Sequence, residues 1–265
     1  MPLSAPCYTF NAAILRKPAP SVIGGLRAED RGNPNYERLL ADHAAYVSAL
    51  ESAGAAVTVL PPLDAFPDSV FVEDPALVFT EGAILLNPGA PSRRGEADAL
   101  APVLHERFPR VLALPSGGHA DGGDVLVTSA EVLIGLSART DRNGAEALIA
   151  CLAKLGHHGR MVRTPRGVLH FKTGCSLLDE ETVLVTGPLS AAGMFNGLRQ
   201  IIVPEDEAPA ANAVRVNDPL LVSSGYPRTI DLLTAAGYRI AAVDTAEVEK
   251  IDAGLSCMSL RWFDG

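Results

Sequence analysis

A cysteine at position 257 and a histidine at position 170 are the residues of this chain whose types best suit nucleophilic chemistry. Cys257 follows a turn of sequence Asp-Ala-Gly-Leu-Ser, so its thiol is predicted to be more accessible than that of Cys151, which lies in a helical pattern. An accessible thiol is a strong nucleophile once it loses its proton. His170 is predicted to lie inside a short apolar strand. A core thiol and a structural histidine remain the alternatives, because sequence order does not show that Cys257 and His170 meet.

Three carboxylates surround a short apolar stretch at residues 68–75. Asp68, Glu73 and Asp74 bracket a Val-Phe-Val sequence that reads as a strand. Alternate residues of a strand share a face, so Asp68 and Asp74 are predicted to point the same way. Charged strand ends in solvent are the alternative. The density of acids favours a pocket for a cationic ligand.

A glycine-rich and aspartate-rich segment lies at residues 116–127. Its two aspartates, Asp121 and Asp124, are separated by Gly-Gly, which permits a sharp turn or a close backbone approach to a ligand. Calcium binding, binding of a cationic substrate and simple turn capping are all compatible with this pattern.

Composition excludes several functional classes. The 265 residues carry 22 basic and 31 acidic side chains, a formal net charge of −9, without a basic cluster that would suit nucleic acid. No apolar run is long enough for a membrane span, and no signal peptide is evident, so we expect a cytoplasmic protein with reduced cysteines. The four cysteines include no Cys-x-x-Cys pair, which argues against structural zinc.

The apolar pattern repeats a strand–helix–strand unit five times. Helices are predicted at residues 36–53, 96–107, 145–155, 194–200 and 229–236, each between two short apolar strands. This repetition is typical of a closed ring of units, although a doubly wound open sheet also alternates strands and helices. Glycine and proline are scattered along the chain, so we expect one catalytic domain over residues 1–265.

Six ordered motifs span nearly the whole chain: Phe-Val-Glu-Asp at 71–74, Asn-Pro-Gly-Ala-Pro-Ser-Arg-Arg at 87–94, Asp-Gly-Gly-Asp-Val at 121–125, Gly-Leu-Ser-Ala-Arg-Thr at 135–140, Leu-His-Phe-Lys at 169–172, and residues 249–257. In these motifs the chain resembles the dimethylarginine dimethylaminohydrolases, which are guanidino-group-modifying enzymes with the pentein fold. The resemblance implies an α/β fold, a five-bladed propeller with pseudo-fivefold repeats around a central active site.

The same resemblance implies a role for each matching residue. Cys257 would be the nucleophile, His170 the general acid and base, and Asp121 the supporting carboxylate, where some relatives carry glutamate. Asp74 would hold the guanidinium with Glu73 beside it. Arg93 and Arg139 would bind the α-carboxylate of the substrate. Asp68 and the backbone carbonyls of Leu26 and Ile251 would bind its α-ammonium group.

The resemblance implies a hydrolase that converts dimethylarginine, and monomethylarginine, to citrulline and an amine through a covalent cysteine intermediate. It requires no cofactor and no metal. We expect a small cationic substrate, no nucleic-acid or membrane partner, and a monomer or homodimer. The alternatives are a related hydrolase for arginine or another N-substituted arginine, and a non-catalytic pentein that binds a macromolecule. Paired glycines at residues 24–25 resemble a mobile lid.

Overall fold

Five small sheets of three strands each form this computed structural model, which describes residues 7–165 and 167–265. The strands in chain order are β1 (Ala12–Arg16), β2 (Ala56–Leu60), β3 (Ala76–Phe79), β4 (Gly82–Leu85), β5 (Val111–Ala113), β6 (Val125–Val127), β7 (Val132–Leu136), β8 (Gly159–Arg163), β9 (Cys175–Leu177), β10 (Thr182–Val185), β11 (Arg199–Ile202), β12 (Val214–Arg215), β13 (Pro219–Ser223), β14 (Arg239–Val243) and β15 (Leu260–Trp262). The helices are α1 (Tyr36–Ser52), α2 (Glu96–Arg107), α3 (Arg142–Lys154), α4 (Gly187–Ala191), α5 (Pro227–Ala235) and α6 (Ala246–Glu249).

Every sheet has the same topology. Its middle strand pairs antiparallel with one neighbour and parallel with the other, as β4 pairs with β3 and β5. Each parallel pair is joined through a helix, because parallel strands need a crossover connection. The C-terminal β15 pairs with β1, so the two ends of the chain share one sheet and the ring closes. The prediction of a five-bladed α/β propeller is confirmed, and the open doubly wound sheet is wrong.

Burial explains why these segments form strands and helices. The middle strands β1, β10 and β13 are buried along their whole length, as continuous apolar runs require. Helix α1 begins after Asn35 and α3 after Asp141, and each of these side chains accepts a hydrogen bond from a backbone N–H of the first turn. Within the described residues, the search for an apolar helix of membrane-spanning length finds none.

Three local predictions are wrong. Residues 68–75 form consecutive turns rather than a strand, and the carbonyls of Asp68 and Phe71 accept hydrogen bonds from Arg93 instead of from a neighbouring strand. His170 precedes a short 3-10 turn and does not lie inside a strand. The helix expected at 194–200 is the earlier α4, because Gly193 and Gly197 have positive φ angles of 70° and 92° that end helical structure.

Candidate active site

A pocket of about 130 Å³ brings together loops from distant parts of the chain. Eight of the ten site residues predicted from the sequence line it: Leu26, Asp68, Asp74, Arg93, Arg139, His170, Ile251 and Cys257. They lie at the ends of strands or in the turns between blades, and the closed ring makes these segments neighbours. Asp121 and Glu73 do not line the pocket.

Asp121 orients the ring of His170. The Nε2 atom of His170 lies 3.0 Å from Asp121 Oδ2, within hydrogen-bond distance. The other carboxylate oxygen accepts a hydrogen bond of 2.7 Å from the backbone N–H of Gly89, and Asp121 itself is fully buried. A carboxylate held in this way fixes the orientation of the imidazole and stabilises its charged form.

Asp74 supplies a buried negative charge beside the imidazole. It accepts hydrogen bonds from the Gly123 N–H at 2.9 Å and from the Arg93 guanidinium. Burial opposes ionisation of this carboxyl, but the nearby charges of Arg93 and His170 hold the pKa of Asp74 below its ordinary value. Burial by itself lowers the pKa of His170, yet Asp74 and the hydrogen bond with Asp121 outweigh it and raise the pKa to about 9. The imidazole is therefore protonated at neutral pH.

Cys257 lies in the short 3-10 turn Ser256–Met258, immediately before the last strand. The residue is half-buried and lines the same pocket as His170. Burial raises the pKa of its thiol to about 12, and the negative charges of Glu73 and Asp74 contribute to the increase. In the free protein the sulfur is a thiol, and a cation entering the pocket would favour the thiolate.

The two arginines predicted to bind a carboxylate differ in their surroundings. Arg93 is buried, and its guanidinium donates hydrogen bonds to Glu96, to Asp74 and to the backbone carbonyls of two turns. Arg139 is half-buried, lines the pocket, and donates no side-chain hydrogen bond to any residue that the structure describes. Arg139 is thus the better placed of the two to receive a ligand carboxylate.

Asp68 holds the segment at residues 24–27 in place. Its Oδ1 atom accepts a hydrogen bond of 2.9 Å from the N–H of Leu26. The neighbouring Ala28 N–H donates to the carboxylate of Asp252, so two acids at the pocket hold this segment. Burial raises the pKa of Asp68. A ligand ammonium that binds Asp68 would share this carboxylate with the N–H of Leu26.

The side chain of Glu73 faces away from the pocket, unlike that of its neighbour Asp74. It lines a second cavity of about 190 Å³ together with Lys172 and the strands β3, β6, β9, β12 and β15. Its carboxylate accepts hydrogen bonds from Ser256 Oγ at 3.0 Å and from the ammonium of Lys172. Glu73 is placed behind Cys257 rather than beside a ligand in the pocket.

Asn212 contacts the turn of Cys257 but carried no sequence signal. The amide of Asn212 accepts a hydrogen bond from the Ser256 N–H at 2.9 Å and donates to the carbonyl of Lys172 at 3.2 Å. It thereby joins the turn of Cys257 to the segment that follows His170. An isolated asparagine has no pattern that would reveal this role. Lys172 was visible only as part of the Leu-His-Phe-Lys motif.

Asp124, which does not line the pocket, is held by three hydrogen bonds. Asp124 accepts hydrogen bonds from Ser137 Oγ at 2.6 Å, Thr140 Oγ1 at 2.7 Å and the Phe171 N–H at 2.8 Å. Ligand atoms of Asp74, Asp121 and His170 lie within 4.8 Å of one another, a spacing that a metal ion could use. The carboxylates of Asp74 and Asp121 already accept two hydrogen bonds each, however. One donor to Asp74 is the Arg93 guanidinium, and one partner of Asp121 is the His170 ring. This arrangement of two carboxylates and an imidazole suits proton transfer and the binding of an organic cation.

Gly123 is predicted to be irreplaceable at this site. A Cβ atom there would lie 2.8 Å from Asp74 Oδ1 and 3.0 Å from the ring of His170. Gly123→Ala should therefore lower the free energy of unfolding by about 2 kcal/mol, measured by urea denaturation. Gly187→Ala is the matched control, because its Cβ would meet no atom within 4 Å. Equal stability of the two variants would contradict the close packing of Asp74 and His170.

Comparison with known proteins identifies the family. The arginine deiminase family model matches residues 37–222. A dimethylarginine dimethylaminohydrolase of Pseudomonas aeruginosa is 41% identical over 254 residues, which cover 96% of this chain and 100% of that protein. One of Streptomyces coelicolor is 33% identical and covers 94% of this chain and 96% of that protein.

Solved structures agree with the sequence comparison. A cysteine-to-serine mutant of the Pseudomonas enzyme in complex with citrulline superposes with a TM-score of 0.93 at 40% identity, covering 96% of this chain and 100% of that one. A histidine-to-glycine variant of a dimethylarginine dimethylaminohydrolase, present as an adduct with S-methyl-L-thiocitrulline, superposes equally well. The resemblance drawn from the six motifs is confirmed. The chain belongs to the dimethylarginine dimethylaminohydrolases, within the arginine deiminase family.

Proposed function

We propose that this protein hydrolyses Nω,Nω-dimethyl-L-arginine, and also monomethylarginine, to L-citrulline and dimethylamine or methylamine. The observation that carries the proposal is the convergence of Cys257, His170 and Asp74 on one pocket. These residues supply a nucleophile, a proton donor and a buried anion. Relatives of this family have been solved with citrulline and with a thiocitrulline adduct, and both ligands are arginine-like.

The first step of the proposed reaction joins the protein to the substrate. The guanidinium binds against Asp74, and its positive charge favours the thiolate, so Cys257 loses its thiol proton to solvent. The sulfur attacks the central carbon of the guanidinium and forms a C–S bond. The C–N bond to dimethylamine then breaks as the imidazolium of His170 gives its proton to the leaving nitrogen. The product of this step is a covalent thiouronium and a neutral imidazole.

The second step releases citrulline. His170, now neutral, takes a proton from water, and the resulting hydroxide attacks the thiouronium carbon. The C–S bond breaks and the sulfur leaves as a thiolate, which gives an O-protonated urea. This urea loses its hydroxyl proton to solvent, where the released amine takes up a proton, and the products are citrulline and the imidazolium of His170. Asp121 keeps the ring in one orientation through both steps, because its Oδ2 lies 3.0 Å from Nε2.

The remaining groups are assigned to the amino-acid end of the substrate. Arg139, whose guanidinium faces the pocket, binds the α-carboxylate, and Arg93 contributes from its buried position. Asp68 and the carbonyls of Leu26 and Ile251 receive the α-ammonium. In this proposal Glu73 supports Cys257 from behind. One catalytic domain over residues 1–265 acts in the cytoplasm as a monomer or homodimer, without a nucleic-acid or membrane partner.

Citrulline release by the purified protein tests the function. We expect release from dimethylarginine and monomethylarginine with kcat/KM at least about tenfold above that for arginine, because the pocket would accept the alkylated nitrogen. Detection of dimethylamine in equal amount to citrulline confirms the bond that breaks. A wide preference for arginine would assign the protein to the deiminases instead. Failure of a folded protein to release citrulline from any of the three would contradict the proposal.

A further inference from the structure

A buried ion pair contacts the turn that carries Cys257. The carboxylate of Glu73 and the ammonium of Lys172 are in contact, and their side chains are only 5% and 12% exposed. Arg261 lies farther from the same carboxylate, with its Nη2 atom 3.7 Å from Glu73 Oε1. Buried charges are retained only where they are paired and hydrogen-bonded. The pair therefore needs an explanation beyond fold stability.

Glu73 anchors the turn that carries Cys257. Its backbone N–H donates a hydrogen bond of 3.2 Å to the carbonyl of Cys257, and its side chain accepts one of 3.0 Å from Ser256 Oγ. Two contacts thus fix the residue that bears the thiol and the residue before it. The disadvantage of this anchor is its charge, because an anion next to the sulfur opposes formation of the thiolate.

The other charges around the thiol come from several segments. Three carboxylates share its pocket, those of Asp68, Asp74 and Asp252. The cations of the pocket are Arg27, Arg93, Arg139 and the imidazolium of His170. Burial has the largest effect on the thiol pKa, followed by Glu73 and then Asp74, and Lys172 acts in the opposite direction. Glu73 is therefore the anion with the greatest influence on the sulfur.

We propose that Lys172 is a positioning residue for the nucleophile, whose ammonium offsets the charge of Glu73 so that Glu73 can anchor the Cys257 turn without suppressing the thiolate. This inference rests on the proposed role of Cys257. Lys172 follows His170 by two residues, so one segment carries both the proton donor and this cation. Asn212 holds the carbonyl of Lys172 and the N–H of Ser256, which keeps the ammonium and the turn in register.

The rate of Cys257 alkylation by iodoacetamide tests the proposal without any substrate. The rate is followed from pH 7 to 10 by mass spectrometry of the peptide that contains Cys257, since only the thiolate reacts. At a fixed pH, Lys172→Met should slow alkylation by about tenfold and Glu73→Gln should accelerate it by about tenfold. The double variant should react at a rate between those of the two single variants. Lys172→Arg should restore most of the parent rate.

Opposite signs separate this role from simple packing. Both single variants break the same ion pair, so a role in packing alone would change the rate in one direction for both. That result, or an unchanged rate in both, would overturn the proposal. Arg160→Met is the matched control, because Arg160 pairs with Glu131 near the surface, neither residue lines the pocket, and the rate should be unchanged.

Two further results keep the test decisive. If circular dichroism shows that Lys172→Met does not fold, Glu73→Gln decides alone, and alkylation no faster than in the parent protein overturns the proposal. The test is also independent of the proposed function. If the protein releases no citrulline but the two variants change the alkylation rate in opposite directions, the proposed function is contradicted and the ion-pair role is supported. If the protein releases citrulline but the two rates do not change in opposite directions, the function is supported and the ion-pair role is contradicted.

Discussion

Cys257→Ser is expected to reduce citrulline release by about three orders of magnitude or more, the largest effect of any single substitution. Serine has nearly the same shape as cysteine, so the turn Ser256–Met258 should keep its hydrogen bonds and the protein should stay folded. A hydroxyl, however, remains protonated where a thiol can ionise. His170 is already protonated at neutral pH and so does not act as the base that would activate the hydroxyl. Citrulline assay of the parent and the variant at equal concentration measures the effect.

Cys7→Ser is the matched control for that experiment. Cys7 is also half-buried, and burial likewise raises the pKa of its thiol to about 12, but it lines the second cavity and not the pocket of His170. This variant should keep the parent activity. Substantial citrulline release by Cys257→Ser, or its loss in Cys7→Ser, would show that the nucleophile has been assigned to the wrong thiol.

His170→Ala is expected to lower kcat by about a thousandfold, because the residue transfers a proton in both steps. The pH dependence of the parent protein follows from the two raised pKa values. At neutral pH the free protein holds a proton on both Cys257 and His170. The reactive thiolate–imidazolium pair has one proton fewer. The value of kcat/KM should therefore rise with pH and level off near pH 9, where the first of the two protons is lost.

Asp121→Asn provides the check on that assignment. The hydrogen bond of Asp121 and its negative charge both raise the pKa of His170, so a neutral amide should lower it. In this variant the rise of kcat/KM should therefore end at a lower pH than in the parent protein, and the maximum value of kcat/KM should be lower. A rise that ends at the same pH in both proteins would show that His170 is not the group that titrates.

Much of the fold was predictable because the apolar pattern records burial along the chain. The middle strand and helix of most blades were correctly placed, since a buried strand and an amphipathic helix each have a characteristic period. The short strands β6 and β12 were not predicted. With three and two residues they have too little length to show a period, and pairing with β7 and β13 forms them. Ring closure by β15 likewise depends on contacts between the two ends of the chain.

The candidate residues of the site were predictable from motifs, whereas the orientations of their side chains depend on tertiary contacts. Residue types alone offered a candidate nucleophile, with a core thiol as the alternative, and a group of acids suited to a cation. The resemblance then implied a role for each residue. The opposite orientations of Glu73 and Asp74 could not be predicted, because their turn is set by Arg93 binding its carbonyls from 20 residues away or more. The contacts of Asn212 and Lys172 could not be predicted either, because their partners are remote in the chain.

The sequence by itself determined the chemistry of this protein, and the tertiary structure decided its electrostatics. Cys257, His170 and Asp74 stand out as candidates from their types and motifs, since the ability to act as a nucleophile, a proton donor or an anion belongs to a single side chain. The protonation states of the three depend on burial and on the distances between charges that are remote in the chain. Those distances exist only once five blades have closed into a ring.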